Sequence, residues 1–129
     1  MVERRVAQGF SVFQAHGYTG FGPNERVTVF DAVRVGGDAA IAHWQHVDRY
    51  LAYAELRGLV GVMGFAATDM IDRVSLPNLK RLWFYYLSRY AAYPVTFLLT
   101  QEYNAEIGDK RGRIEKILQL GRFIHERRK

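Results

Sequence analysis

The sequence predicts an α/β protein built on a parallel sheet of three βα units. Short apolar runs, rich in β-branched and aromatic residues, alternate along the chain with longer segments whose apolar residues recur every three or four positions. Near-continuous apolar strands that alternate with amphipathic helices are typical of a parallel sheet covered by helices. The length of 129 residues fits one domain.

The first unit joins a strand to a helix through a long glycine-rich segment. Residues 10–15 form the apolar run of the strand, and residues 1–9 are expected to end a preceding helix. Asp38 can cap a helix over 39–57. The apolar positions of this helix recur at steps of three and four: Ile41, Trp44, Val47, Leu51 and Ala54. The connection over 16–37 is long for a small domain, and such loops tend to be functional.

The second and third units repeat this pattern. Residues 59–65 and 95–100 are the other two apolar runs, and both are predicted to be buried strands. A helix over 76–93 is expected to begin at a capping serine, Ser75, and a last helix is expected over 112–126. The inner face of that last helix is predicted to bury five residues: Ile114, Ile117, Leu118, Gly121 and Ile124.

Composition and charge exclude several classes of protein. A hydrophobic share of 49% excludes disorder as the main state, and no apolar run is long enough to cross a bilayer. The absence of cysteine removes disulfides, thiolate metal sites and cysteine nucleophiles. With no secretion signal in the charged first residues, a cytoplasmic location is the default. The net charge of +5 lies within residues 109–129, which favours a solvated basic helix and disfavours, without excluding, nucleic-acid binding.

Motifs for a cofactor, a metal or a serine nucleophile are missing. The glycines do not form a dinucleotide fingerprint, and no P-loop lysine is present. No Gly-x-Ser-x-Gly elbow occurs, which disfavours a serine hydrolase. His43 and His46 lie three positions apart on a helix, but no carboxylate accompanies them at a metal-site spacing. Surface or hydrogen-bonded histidines are therefore favoured over a metal site.

Three parallel strands leave two exposed apolar edges, which promote association. They are also too few for a closed (β/α)₈ barrel, which needs about 250 residues. We therefore expect residues 1–129 to form a single partial-barrel domain, resembling roughly half of such a barrel. A homo-oligomer that covers the exposed edges is a further expectation.

Candidate site residues follow the predicted strands, because reactive residues in parallel α/β proteins gather at the carboxyl ends of strands. Glu102 leads them, since a carboxylate at the end of an apolar strand is partly desolvated, which favours proton donation. An equally weighted alternative is that Glu102 caps or pairs with the following helix. Tyr103 offers an aromatic face for a ring. Seven further residues are candidates for binding substrate: Gln14, His16, Tyr18, Phe65, Asp69, Gln101 and Asn104.

Four segments carry a resemblance to a known family. They read QGFSVFQ at 8–14, WxxVD at 44–48 with AxxxGL at 54–59, RYxAYPV at 89–95 and LTQEYN at 99–104. Together they resemble the apiosidase-like glycoside hydrolases, which are (β/α)₈-barrel enzymes similar to the large clan of retaining glycosidases. The resemblance spans nearly the whole chain and implies that it covers the end of the first helix through the fourth βα unit.

The resemblance also implies roles for particular residues. Glu102 matches the general acid/base at the end of the fourth strand. Gln101 stands where many members of the clan have asparagine, a departure that weakens the expected hydrogen bond to the sugar 2-hydroxyl. The second carboxylate that glycoside hydrolysis requires would fall on a later strand, after Lys129.

The resemblance therefore implies part of a glycoside hydrolase barrel that acts on an oligosaccharide or glycoside, and no cofactor or metal is expected. The isolated chain is expected to show little or no turnover. A noncatalytic carbohydrate-binding or self-associating half-barrel is the alternative. Nucleic-acid binding through the basic last helix is a weaker one.

Overall fold

Eight elements follow one another along the part of the chain that the structure describes. The structure is a computed structural model, and it describes residues 2–16, 38–66 and 68–127. In chain order the elements are α1 (Val2–Ala7), β1 (Val12–His16), α2 (Asp38–Leu56), β2 (Val60–Ala66), α3 (Thr68–Arg73), α4 (Leu76–Tyr90), β3 (Val95–Thr100) and α5 (Lys110–Glu126). None of these helices is long and apolar enough to cross a lipid bilayer.

The strands form a parallel sheet in the order β1-β2-β3. The backbone ladder continues beyond the strand ends, because Gly61 N donates to Pro94 O at 3.0 Å and Gln101 N donates to Ala66 O at 3.1 Å. The predicted fold class, α/β with a parallel sheet of three βα units, is confirmed.

Three helices pack side by side on one face of the sheet. The Trp44 ring of α2 lies 6.0 Å from the Tyr86 ring and 6.2 Å from the Tyr90 ring of α4. On the other side of α4, Phe84 contacts Phe123 of α5, with 5.4 Å between ring centroids. Strands in chain order with these helices on a single face are compatible with a segment of a (β/α)₈ barrel wall.

The core lies between the sheet and α4. Phe65 of β2 meets Trp83 of α4 edge-on at 5.0 Å, and Trp83 meets Phe97 of β3 at 5.9 Å. Because side chains alternate along a strand, odd-numbered strand residues such as Met63 and Phe97 face the helices, whereas even-numbered ones face away, except Ala66 at the end of β2, which is buried in the core. Val12 and Val60 lie on the face that the described helices leave uncovered, and they are 50% and 40% exposed.

A glycine in the central strand brings the side chains of the two outer strands together. A Cβ atom on Gly61 would lie 3.1 Å from Cζ of Phe13 and 3.3 Å from Cγ1 of Val95. Any side chain at position 61 would therefore push against both neighbours. The Phe13 ring occupies the space that the missing side chain leaves.

Besides Val12 and Val60, three residues that the sequence predicts to be buried are exposed. Leu118 of α5 is 50% exposed and Ile41 of α2 is 45% exposed, so neither is the buried residue that helical spacing predicts. Phe10 is 51% exposed and precedes β1, which begins at Val12. A spacing of three or four identifies an apolar stripe, but the width of the buried part depends on what packs against it.

The helix ends also differ from their predicted positions. α3 is not predicted by the sequence, because a helix of six residues is too short to show a period. Ser75 occupies the N-cap position of α4 but makes no side-chain capping hydrogen bond. α5 begins at Lys110 because Asp109 caps it, with Oδ1 accepting a hydrogen bond from Gly112 N at 2.9 Å.

Candidate functional site

The carboxyl ends of the strands meet at one edge of the sheet. Thr100 of β3 is level with Ala66 of β2, and His16 of β1 is level with Gly64. The chain continues from Thr100 into a loop over 101–109 that leads to α5. This loop contains four of the residues that the sequence singles out: Gln101, Glu102, Tyr103 and Asn104.

Glu102 has an unusual backbone conformation. Its φ angle is 51°, and among the described residues it is the only residue other than glycine with a positive φ. Its carbonyl accepts a hydrogen bond from Ala105 N at 3.0 Å, which closes a tight turn directly after β3. The left-handed region is strained for a residue with a Cβ atom, and such strain clusters at functional sites.

The side chain of Glu102 is exposed. The partial desolvation expected at the end of an apolar strand is therefore wrong for this carboxylate, because the turn carries it away from the apolar strand. The alternative role as a helix cap is also wrong, since Asp109 caps α5. None of the ion pairs among the described residues involves Glu102.

The loop brings possible hydrogen-bonding and stacking groups next to Glu102 in the chain. Tyr103 is 51% exposed, Asn104 is exposed and Gln101 is half-buried. Gln14 is exposed on β1, on the uncovered face of the sheet. Because β2 lies between β1 and β3, their backbones are separated by two strand spacings, or about 10 Å.

One predicted binding residue is misplaced. Phe65 is 1% exposed and packs against Trp83 in the core, so its ring cannot stack on a sugar. Both faces of a buried parallel strand are apolar, and the sequence therefore does not show which way Phe65 points. Tyr18 and the side chains of His16 and Asp69 lie outside what the structure describes.

A buried arginine of α5 holds the loop through hydrogen bonds to its backbone. Arg113 of α5 has a fully buried side chain. Its Nε donates to Asp72 Oδ1 at 2.8 Å, and its Nη2 donates to Asp72 Oδ2 at 2.7 Å. Nη1 donates to the carbonyl of Ala105 at 3.0 Å, and Nη2 also donates to the carbonyl of Ile107. The loop that contains Glu102 is thereby fastened to both α3 and α5.

A lysine on the next turn of α5 completes this support. Nζ of Lys116 donates to the carbonyls of Ile71 at 2.9 Å, Asp72 at 3.1 Å and Val74 at 3.2 Å. These carbonyls lie at the carboxyl end of α3, where a positive charge is favoured by the helix dipole. Arg113 and Lys116 thus serve internal structure, whereas the charge pattern alone predicts a solvated helix face.

Three acidic side chains in or next to this loop already have ion-pair or hydrogen-bond partners. Hydrogen bonds from Arg113, with the positive charges of Arg113 and Lys116, hold the pKa of Asp72 below its usual range. Glu106 pairs with Lys110 on the next turn, and Asp109 caps α5. These three carboxylates have structural partners, which leaves Glu102 exposed and outside the ion pairs of the described residues.

The two helical histidines have separate surroundings. His43 is 4% exposed and meets Trp44 edge-on at 5.1 Å, while Nδ1 of His46 lies 3.2 Å from Nη2 of Arg49. Across the described ranges, no cluster of three or more histidine, cysteine or acidic side chains could hold a metal ion.

Comparison of the chain with models of known families, with curated proteins and with solved structures found no match.

Proposed function

We propose that this chain forms part of the catalytic barrel of a glycoside hydrolase, with Glu102 as the general acid/base. The observation on which this proposal rests is the strained backbone of Glu102 at the carboxyl end of β3. That end of a parallel strand is where barrel enzymes place their reactive groups. The substrate class is an oligosaccharide or other glycoside.

The hydrogen bonds that hold the loop in place support the role of Glu102 as general acid/base. Protonating a glycosidic oxygen requires a carboxyl group held at a fixed position. Arg113 holds the carbonyls of Ala105 and Ile107, and the turn from Glu102 to Ala105 is closed by a backbone hydrogen bond. A sugar ring that covers the exposed Glu102 carboxyl would remove water from it, which is the setting that an acid catalyst needs.

The proposal is tested with a matched pair of sugars. In a glycosylamine, nitrogen replaces the glycosidic oxygen and carries a positive charge when protonated. We expect the full chain to bind a disaccharide glycosylamine about tenfold more tightly than the corresponding O-glycoside, because a charge-assisted hydrogen bond to the Glu102 carboxylate adds about 1.4 kcal/mol. Calorimetry or NMR titration measures both affinities over a panel of linkages.

Two variants give the test its control. Glu102→Gln should remove the preference for the glycosylamine, whereas Glu106→Gln, which changes an exposed carboxylate in the same loop, should keep it. Absence of any preference in the unmodified chain would contradict the acid role. So would hydrolysis of 4-nitrophenyl glycosides that persists in Glu102→Gln.

A second candidate function is carbohydrate binding without catalysis. It is favoured by the exposure of Tyr103 and Asn104 beside Glu102, since an aromatic face and an amide can bind a sugar whether or not a bond is broken. On this alternative, O-glycoside and glycosylamine bind equally well, and binding is weakened by Asn104→Ala and Tyr103→Ala but not by Glu102→Gln.

A further inference from the structure

An apolar residue lies in the middle of the exposed side of α5. Leu118 is 50% exposed, although the helix has a well-packed inner face through Arg113 and Leu120, both 1% exposed. Residues at steps of four, three and four continue the line through Leu118: Ile114, Leu118, Gly121 and His125. Ile114 and Gly121 are half-buried and His125 is exposed. We call this line the α5 seam; its spacing is that of the contact line between two packed helices.

Four charged residues flank Leu118 in a symmetric order. Arg111 and Glu115 precede it, Arg122 and Glu126 follow it, and all four are exposed. None of them takes part in the ion pairs found among the described residues. Within one helix, a basic residue four positions before an acidic one is the less favourable order for pairing. Glu115 accepts a hydrogen bond from Nε2 of Gln119 at 2.9 Å, but none of the four charges is neutralised by an opposite charge among the described residues, so all four can form ion pairs with a partner.

We propose that the α5 seam binds a second copy of this chain, with the two α5 helices antiparallel across a two-fold axis beside Leu118. Arg111 and Glu126 are symmetric about a point between residues 118 and 119, and so are Glu115 and Arg122. An antiparallel pair centred there sets Arg111 opposite Glu126 of the second copy and Glu115 opposite its Arg122. Because a two-fold interface repeats each contact, four ion pairs form in a row beside the two leucines.

The charge order also excludes the other simple arrangement. A parallel pair in register would place each arginine and each glutamate opposite its own copy, which is repulsive. A Cβ atom on Gly121 would lie 3.9 Å from Cδ2 of Leu99, so the seam borders β3 at this position. Gly121 and His125 of the seam also line an apolar groove of about 530 Å³ between α4, β3 and α5. Its lining includes Val95, Leu99, Gly121 and Ile124, so the seam continues into further apolar surface.

The size of the surface sets the expected strength of binding. A helix of 17 residues is about 26 Å long, and one such face is smaller than the roughly 800 Å² that each partner buries in a standard interface. We therefore expect a weak dimer, with a Kd on the order of micromolar, that dissociates further as salt screens the ion pairs. This inference does not depend on the proposed function.

The absence of cysteine from the sequence permits a direct test of the axis. Leu118→Cys should give a disulfide-linked dimer under mild oxidation, because the two sulfur atoms would meet across the two-fold. Glu55→Cys places an exposed thiol on α2, away from the axis, and it should stay monomeric. Equal cross-linking of both variants, or none with Leu118→Cys, overturns the proposal.

Charge exchange provides an independent test. In sedimentation across a range of concentrations, Glu115→Arg and Arg122→Glu should each weaken the dimer about tenfold or more, because each creates two like-charge contacts. The double variant Glu115→Arg/Arg122→Glu should restore it. Glu55→Arg makes the same charge change on α2 and should leave the dimer unchanged. A chain that is monomeric at high concentration, or a double variant weaker than both single variants, overturns the proposal.

Discussion

Arg113 donates two parallel hydrogen bonds, 2.8 and 2.7 Å long, to the carboxylate of Asp72, although 41 positions separate the two residues in the chain. The remaining donors of the guanidinium reach the backbone of the loop after β3. One side chain thus connects the end of α3, the start of α5 and the loop that contains Glu102. This connection gives the loop a defined shape although its side chains are exposed.

Replacing Arg113 should release that loop. A lysine at this position keeps the charge but loses the forked geometry, so Arg113→Lys cannot reach Asp72 and the carbonyls of Ala105 and Ile107 together. We expect a lower melting temperature and, on the order of tenfold, faster hydrogen exchange at the amide of Ala105. Mass spectrometry after exchange measures the effect. Arg111→Lys, an exposed change on the same helix, should leave the loop unaffected, and equal exchange in both variants would refute the connection.

The ion pair between Arg113 and Asp72 should make the stability of the fold depend on pH. Because the pKa of Asp72 is lowered in the folded chain, its stabilising contribution is complete above its usual value of 3.8 and is lost as the pH falls through the lower, folded-state value. Asp72→Asn should therefore melt below the unmodified chain at neutral pH, and the difference should shrink below about pH 4. Thermal melting from neutral to acidic pH checks this. A difference that stays constant would contradict it.

Two buried tyrosines should respond in opposite ways to loss of the hydroxyl. The Tyr90 hydroxyl is buried and has no hydrogen-bond partner in the described structure, whereas that of Tyr86 donates to the carbonyl of Gly64 at 3.3 Å. Tyr90→Phe should be neutral or stabilise the fold by up to about 1 kcal/mol, and Tyr86→Phe should destabilise it by about 1 kcal/mol. Urea unfolding compares them. A loss of stability in Tyr90→Phe as large as in Tyr86→Phe would show that Tyr90 has a partner.

The loop should also depend on a glycine. Gly108 has a φ of 59°, and a Cβ atom there would lie 2.7 Å from Asp72 Oδ2. Gly58 has a φ of 70° with nothing within 4 Å of such an atom. Both alanine variants incur the left-handed strain, about 1 kcal/mol, but Gly108→Ala also displaces Asp72 from Arg113. It should therefore cost at least about 1 kcal/mol more than Gly58→Ala. Equal costs in urea unfolding would contradict this.

The sheet can be predicted from the sequence because its signal is local. The apolar runs ending at Phe65 and Thr100 are each flanked by segments with helical spacing, and this alternation is enough to predict parallel βα units. Candidate residues after β3 are predictable for the same reason, since the end of an apolar run marks where a strand stops.

The hydrogen bonds from Arg113 to the loop and from Lys116 to the end of α3 are not predictable in this way. Arg113 and Lys116 belong to a basic stretch, and nothing near them in sequence identifies Asp72 and the end of α3 as their partners. Leu118 fits the apolar period of α5, but its exposure depends on which neighbours pack beside the helix. Phe65 has apolar residues on both sides in the strand, so its orientation follows only from the three-dimensional packing.

The contact of Phe13 with Gly61 gives β1 and β2 a fixed alignment. Sliding one strand by two positions would keep every side chain on its own face, and apolar strands of similar composition offer little resistance to such an error. Here that shift would bring Leu59 or Met63 under the Phe13 ring in place of glycine, and the ring would collide with it. The absence of a side chain at Gly61 therefore disfavours shifted pairings of β1 with β2 that the other residues of the two strands would permit.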